Sequence, residues 1–339
     1  MELVSWWSSQ EEQLWKACKD GKVEKVQKLL QNSQININWQ NQDDFLRTPF
    51  YIACQNGHIE IVKLLLNDNR IDVNQVSDGG FTPFFIACLK GYIEIVKMLL
   101  NDQRVDIIKT NEIDKTPLYI ACQNGHTEIV KLLFNDNRVD INKADINGET
   151  PFFIACFYGH IEIVKLFLND IRVDINQVSK FDRTPFYIAC QQGHIEIVKL
   201  LLNDKRVDIN KADSNGQTPF WIACYYGYIK IVKLLLNDKS VNINETNNYE
   251  ETPLSKACFF GHIETVEYIL ASGREVNIYT KDHKGKTVID IMKKKEKELE
   301  REWERAKEIA QLLESFERNP NETRRKLRIK LEFAGKSFI

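Results

Sequence analysis

Threonine–proline pairs begin at Thr48, Thr82, Thr116, Thr150, Thr184, Thr218 and Thr252, a strict 34-residue period running through most of a 339-residue chain. No other feature constrains the fold so strongly, because a repeat of this length is one supersecondary unit that buries its apolar face only against the next copy. One unit runs Thr184-Pro185-Phe186-Tyr187-Ile188-Ala189-Cys190, then Gly193-His194, then Ile195-Glu196-Ile197-Val198-Lys199-Leu200-Leu201-Leu202. Thr184 suits a helix N-cap, and Pro185 the first helical position, where its missing N–H costs nothing. Gly193 suits a left-handed helix stop. A second helix over about 195–202 is too densely apolar for one exposed face and must pack on both neighbours. Between units, Asn147-Gly148 and Asn215-Gly216 signal tight turns, suited to a hairpin projecting from the helix pair.

A helical period of this length also fits a tetratricopeptide array, so the motif has to decide. Thr-Pro-Leu/Phe-x-x-Ala-Cys-x-x-Gly-His-x-Glu-Ile-Val-Lys-Leu-Leu resembles the ankyrin signature Thr-Pro-Leu-His-x-Ala, over about Leu14 to Glu314. The resemblance implies an all-α ankyrin-repeat solenoid of paired antiparallel helices with β-hairpin loops, about nine units including caps. The expected divisions are an N-terminal capping unit at 1–47, seven repeats at 48–286, a C-terminal capping unit with an extended charged helix at 287–317 and a basic tail at 318–339. Three departures stand out. The signature histidine is replaced by Tyr51, Phe85, Tyr119, Phe153, Tyr187, Trp221 and Ser255, which removes the family's usual hydrogen bond and adds an aromatic row. The first unit lacks Thr-Pro and opens on a Ser9/Glu12 capping box. In the last, nineteen residues rather than eleven separate Thr287 from the second helix near 306–313. Its first helix is therefore expected to be longer by about two turns, with Met292, Leu299, Trp303 and Ala306 along one side.

Composition bounds the function. A formal charge of -2 points to no polyanionic partner, and 43% apolar residues suffice for a substantial core. The longest apolar runs, such as Ile61 to Leu66, are broken by lysine and fall far short of a membrane span. With no signal-like start, a cytoplasmic or nuclear location is expected. Cys54, Cys88, Cys122, Cys156, Cys190, Cys224 and Cys258 recur with the repeat, preceded by Cys18, and read as small buried residues rather than disulfide partners. His58, His126, His160, His194 and His262 follow the repeat glycine, where Tyr92 and Tyr228 also stand, and a residue that tyrosine replaces is no metal ligand. No catalytic or nucleotide-binding motif occurs. The expectation is a non-enzyme without metal or cofactor.

Against so regular a scaffold the varying residues are the informative ones. Just before each repeat glycine stand Gln55-Asn56, Leu89-Lys90, Gln123-Asn124, Phe157-Tyr158, Gln191-Gln192, Tyr225-Tyr226 and Phe259-Phe260. Polar and apolar pairs alternate, which suggests duplication of a two-repeat block. A slot that accepts both Gln-Gln and Tyr-Tyr belongs at a surface rather than in a core, and clustered surface aromatics make an interaction site. The ankyrin resemblance assigns the end of the first helix and the hairpin tip to the concave binding groove. The candidate partner-binding residues are therefore Phe157, Tyr158, Tyr225, Tyr226, Phe259 and Phe260 from the helix ends, with Phe81, Phe181 and Tyr249 from the tips. The expected function is a monomeric protein-binding module or scaffold whose partner is another protein. The alternative is binding of nucleic acid or anionic membrane through the tail, where Arg324, Arg325, Lys326, Arg328 and Lys330 alternate with Leu327, Ile329, Leu331 and Phe333 as in a strand or docking segment. The resemblance also permits hydroxylation of loop asparagines such as Asn142.

Overall fold

The computed structural model of the chain describes residues 9–298 and 303–333, and these form nineteen helices and no strand. They come as pairs: α1 (Gln10–Lys19) with α2 (Val23–Leu30), α3 (Pro49–Asn56) with α4 (Ile59–Leu66), α5 (Pro83–Lys90) with α6 (Ile93–Asn101), α7 (Pro117–Gln123) with α8 (Thr127–Phe134), and α9 (Pro151–Tyr158) with α10 (Ile161–Leu168). The series continues with α11 (Pro185–Gln192) and α12 (Ile195–Leu202), α13 (Pro219–Tyr226) and α14 (Ile229–Asn237), α15 (Pro253–Phe259) and α16 (Ile263–Ala271), and α17 (Val288–Glu298) and α18 (Trp303–Arg318). A last helix, α19 (Pro320–Phe333), has no pair. The chain divides into two compact units: residues up to Ala155 with Glu162–Val173, and Cys156–Ile161 with residues from Asp174 onward.

Each pair is built by the residues that define the repeat. Thr184 accepts a hydrogen bond from the Tyr187 N–H at 3.0 Å, with Pro185 following it, and the same cap recurs from Thr48 to Thr252. Each such cap contributes about 1 kcal/mol. The left-handed Gly193 (φ 79) ends α11, and a Cβ there would lie 3.1 Å from the ring of Tyr228 in the next repeat. Glycine is thus needed twice at this slot, for its backbone conformation and for the close approach of the following unit. First helices such as α11 bury the whole run Pro185-Phe186-Tyr187-Ile188-Ala189-Cys190, and the second helices bury an Ile-Val-Leu stripe such as Ile197, Val198 and Leu201. All eight cysteines are free and buried, and burial pushes their thiols far above the ordinary range, so they pack as inert small residues.

The projecting turns differ from the expected β-hairpins. In the turn at 213–217 a single backbone bond crosses the base, from Asp213 N to Gln217 O at 3.0 Å, with Gly216 N turning back to Asp213 O at 2.9 Å, and a ladder of one rung makes no strand. Apart from an isolated bridge between Asn41 and Arg47, the described residues hold no β pairing. The turn is otherwise held by the Asp213 carboxylate, which accepts from Asn215 N and Gln217 N, and it bonds to its neighbours from Ser214 N to Phe181 O and from Asn248 N to Asn215 O, both at 2.9 Å. At the N-terminus only half the capping box forms. Ser9 accepts from the Glu12 N–H, but the Glu12 carboxylate turns to Lys16 at 2.5 Å.

At the C-terminus Met292 and Ala306 are buried, as their spacing required, while Leu299 and the side chain of Trp303 lie outside what the structure describes. The segment 320–333 is a helix rather than a strand. Its apolar side, Leu327 and Leu331, is buried, and Ile329 is exposed. That is an i, i+4 pattern, which the run's alternation of charged and apolar residues concealed.

Candidate protein-binding surface

The aromatic replacements for the signature histidine are not part of a surface. Tyr51, Phe85, Tyr119, Phe153, Tyr187 and Trp221 are all buried, and the polar groups of Tyr119, Tyr187 and Trp221 bond to the following repeat. The Tyr119 hydroxyl donates to the Glu149 carboxylate at 3.2 Å, and Trp221 Nε1 donates to the Glu251 carbonyl at 3.0 Å, each reaching the turn of the next repeat. Burial, reinforced by the Asp213 carboxylate, pushes the Tyr187 hydroxyl well above the usual phenol range, so it stays neutral and donates.

The histidines that follow the repeat glycine are likewise structural. Nε2 of His58 donates to the Lys19 carbonyl at 3.0 Å, and His126, His194 and His262 donate to the carbonyls of Leu89, Phe157 and Tyr225 at 2.9 Å. The loop asparagines also bridge repeats, with Asn142 Nδ2 donating to the Arg172 carbonyl at 2.7 Å. Among the described residues no group of three or more His, Cys, Asp or Glu is placed to hold a metal, and no helix is long and apolar enough to cross a membrane.

The residues before the repeat glycine lie at the surface. Tyr158, Tyr226, Phe259 and Phe260 are 47, 42, 41 and 43% exposed, and Phe157 and Tyr225 are half-buried. Four of them meet. The ring of Tyr225, at the end of α13, lies 4.6 Å from that of Phe260, just past α15, and each touches its chain neighbour, Tyr226 at 5.0 Å and Phe259 at 5.1 Å. Beneath, Tyr225 stacks on the buried Trp221 at 5.5 Å, which anchors the cluster to the core. The Lys295 ammonium sits 4.1 Å from the centre of the Phe259 ring, and Lys256 reaches the same ring at 5.5 Å. Such contacts hold an exposed ring in place by about 0.5–1 kcal/mol each.

The other candidates are dispersed. Phe157 and Tyr158 touch each other at 4.9 Å, and the intervening repeat carries Gln191 and Gln192. Among the turn residues, Phe181 is 58% exposed beneath the Arg183 guanidinium, and Tyr249 packs edge to face on His283 at 5.7 Å. Phe81 belongs to the first unit, half-buried against Phe85 at 5.3 Å. The aromatic surface is thus concentrated in the second unit, on α13 and α15. Sequence reasoning passed over the lysines beside it, Lys256, Lys284, Lys286 and Lys295, although the density of lysine between 281 and 295 was a visible signal.

The family model describing ankyrin repeats in three copies matches residues 14–111, 104–179, 171–247 and 187–282. A search of curated proteins returned no match. Repeat motif, helix pairing and family match agree, and the chain belongs to the ankyrin repeat family.

Proposed function

We propose that the protein binds another protein through the aromatic surface of Tyr225, Tyr226, Phe259 and Phe260, extended along the second unit by Phe157 and Tyr158. Ankyrin repeats are general protein–protein interaction modules and in general not enzymes. The observation that carries the assignment to this surface is the contrast within one slot. Equivalent positions hold Gln191 and Gln192 in one repeat and four touching aromatics in the next two, while the Ala-Cys before the slot and the glycine after it are the same in all three. Glutamine fills the same slot in other repeats, so the fold does not require exposed rings at 226, 259 and 260, and aromatics are the side chains that dominate interface energetics. On this reading the chain works as a monomeric scaffold in the cytoplasm or nucleus. The tail reading loses support, because Arg324, Arg328 and Lys330 of α19 are turned onto α16 and the loop after it. A photo-crosslinking residue placed at 226 is expected to label a captured partner, and one placed at 192 is not. Equal labelling at both positions would reject the surface.

A further inference from the structure

Beside the aromatic surface, where the end of α15, the turn at 282–286 and the start of α17 converge, lies a cavity of about 470 Å³. Five lysines line it, Lys256, Lys284, Lys286, Lys294 and Lys295, against two carboxylates, Glu251 and Asp282. Both carboxylates are already used by the protein. Glu251 pairs with Lys256 at 2.7 Å and accepts from Asn247 Nδ2 at 2.9 Å, and Asp282 accepts the backbone N–H groups of Lys284 and Lys286, each at 2.9 Å. The chain as a whole carries 46 basic and 48 acidic residues, so the cationic excess is a property of this cavity and not of the protein. Phe259 forms its apolar wall and is shared with the aromatic surface.

We propose that the cavity receives an acidic segment of the partner protein, with Asp or Glu side chains among the lysines and an apolar neighbour seated on Phe259 and Phe260. The proposal rests on the aromatic-surface reading and names the chemistry of what binds there. Charge complementarity selects an anion, because lysines gathered from three elements into a concave, partly apolar site raise the local potential for one. The shape selects a peptide. A cavity of this volume takes a few side chains, whereas a nucleic-acid strand needs a cationic track with flat faces on which successive bases stack. Here the rings of Tyr225, Phe259 and Phe260 meet edge to face, at interplanar angles of 63 and 79°, and offer no such row. No arginine lines the cavity to grip phosphate with two parallel bonds.

The test uses the full chain and fluorescence anisotropy with four probes: a labelled peptide of Glu and Asp around a central Leu-Phe, the same peptide with Gln and Asn, a labelled oligothymidine, and equimolar phosphatidylserine–phosphatidylcholine vesicles. The acidic peptide is expected to bind at least about tenfold more tightly than the neutral one, and to weaken as salt rises. Lys284→Glu with Lys286→Glu, both on the turn and outside the helices, is expected to remove that preference while the circular dichroism stays unchanged. Equal binding of the neutral peptide, indifference to the lysine reversal, or tighter binding of oligothymidine or vesicles overturns the proposal. If the acidic peptide fails to bind but Tyr226→Ala still releases the native partner, the cavity assignment falls and the aromatic surface stands.

Discussion

The ring of Tyr225 meets that of Phe260 edge to face, 4.6 Å between centroids, and so joins the surfaces of two successive repeats. Tyr225 also stacks on Trp221, whose indole N–H donates to the carbonyl of Glu251 in the next turn. One tyrosine therefore belongs to both the packing and the surface, whereas its neighbour Tyr226 contacts only exposed or half-exposed rings. The two are predicted to separate. Tyr226→Ala should weaken partner binding about tenfold, or ~1.4 kcal/mol, with less than about 1 kcal/mol lost in stability. Tyr225→Ala should cost about 1–2 kcal/mol in denaturant melts, from three aromatic contacts together with lost burial. Gln192→Ala is the control and should leave both measurements unmoved. If Tyr226→Ala unfolds the protein, the ring is core and the surface assignment is wrong.

The turns carry a second contrast. Gly148 and Gly216 adopt left-handed backbone, and in alternate repeats the equivalent place is held by Asp114, Asp182 and Glu250, with φ near 60°. At Gly216 a Cβ would lie 2.9 Å from the backbone nitrogen of Asn248, so Gly216→Ala meets both an unfavourable φ and an unyielding neighbour. A loss of about 1–3 kcal/mol is expected in urea melts. Glu250→Gly should go the other way, by up to about 1 kcal/mol, because Glu250 already bears the strain. Equal effects of the two changes would show that the left-handed turn is not what sets the residue there.

How much of this was legible in the sequence depended on how local each rule was. Thr184, Pro185 and Gly193 act within one or two turns of helix, so their roles could be read from the chain. The cationic cavity was legible only in part: the lysines between 281 and 295 are dense in the sequence, but nothing local brings Glu251 and Lys256 to them from separate elements. The absence of strands among the described residues was hidden for a similar reason: the turn at 213–217 has hairpin chemistry, but the Asp213 side chain takes the Asn215 and Gln217 N–H groups and Ser214 N goes to the neighbouring turn. The two-residue alternation in the tail was an accident of Arg and Lys between Leu327, Ile329 and Leu331, and only the site against α16 shows that the period is helical.

Acid should loosen the loops in a defined way. Asp68, Asp102, Asp136, Asp170 and Asp204 each hold the arginine two residues on, and the hydrogen bond from that arginine pulls every one of these carboxyls below its ordinary value. A folded pKa below the unfolded value means that the contribution is complete above about pH 4 and is lost as the pH falls through the folded value. Arg104 also donates to the Leu66 carbonyl at 2.7 Å, so the loop ties two repeats together. Because the pair is partly exposed, Asp102→Asn should cost no more than about 1 kcal/mol at neutral pH. Thermal melts should show the variant and the parent differing near pH 7 and converging near pH 2. Curves that stay parallel throughout would show that the aspartate acts through its shape and not its charge.

The last helix bears on where the folded domain ends. We propose that the C-terminal cap includes α19, so that the boundary lies near 333 rather than 317. The helix α16 is buried on every side over 265–271, including the carboxylate of Glu267, and α19 lies against it. Arg328 Nε donates to the Ala271 carbonyl at 3.0 Å and Arg324 Nη2 to the Arg274 carbonyl at 3.1 Å, so both arginines satisfy carbonyls at and beyond the end of α16. Lys330 pairs with Glu267, whose carboxylate would otherwise be shut away from water without a countercharge. Leu327 and Leu331 are almost fully buried, at about 2 kcal/mol each of apolar transfer. Removal of 320–339 strips all of these together and exposes α16, and stops of this kind are what keep the open end of a repeat array soluble. The truncated chain is expected to melt several degrees lower, with amide exchange rising first in α16. The informative point variant is Leu331→Ala, which leaves the basic residues in place and should cost about 2–3 kcal/mol. A truncation that melts like the parent, with α16 amides equally protected, would make α19 a passenger and return the boundary to 317.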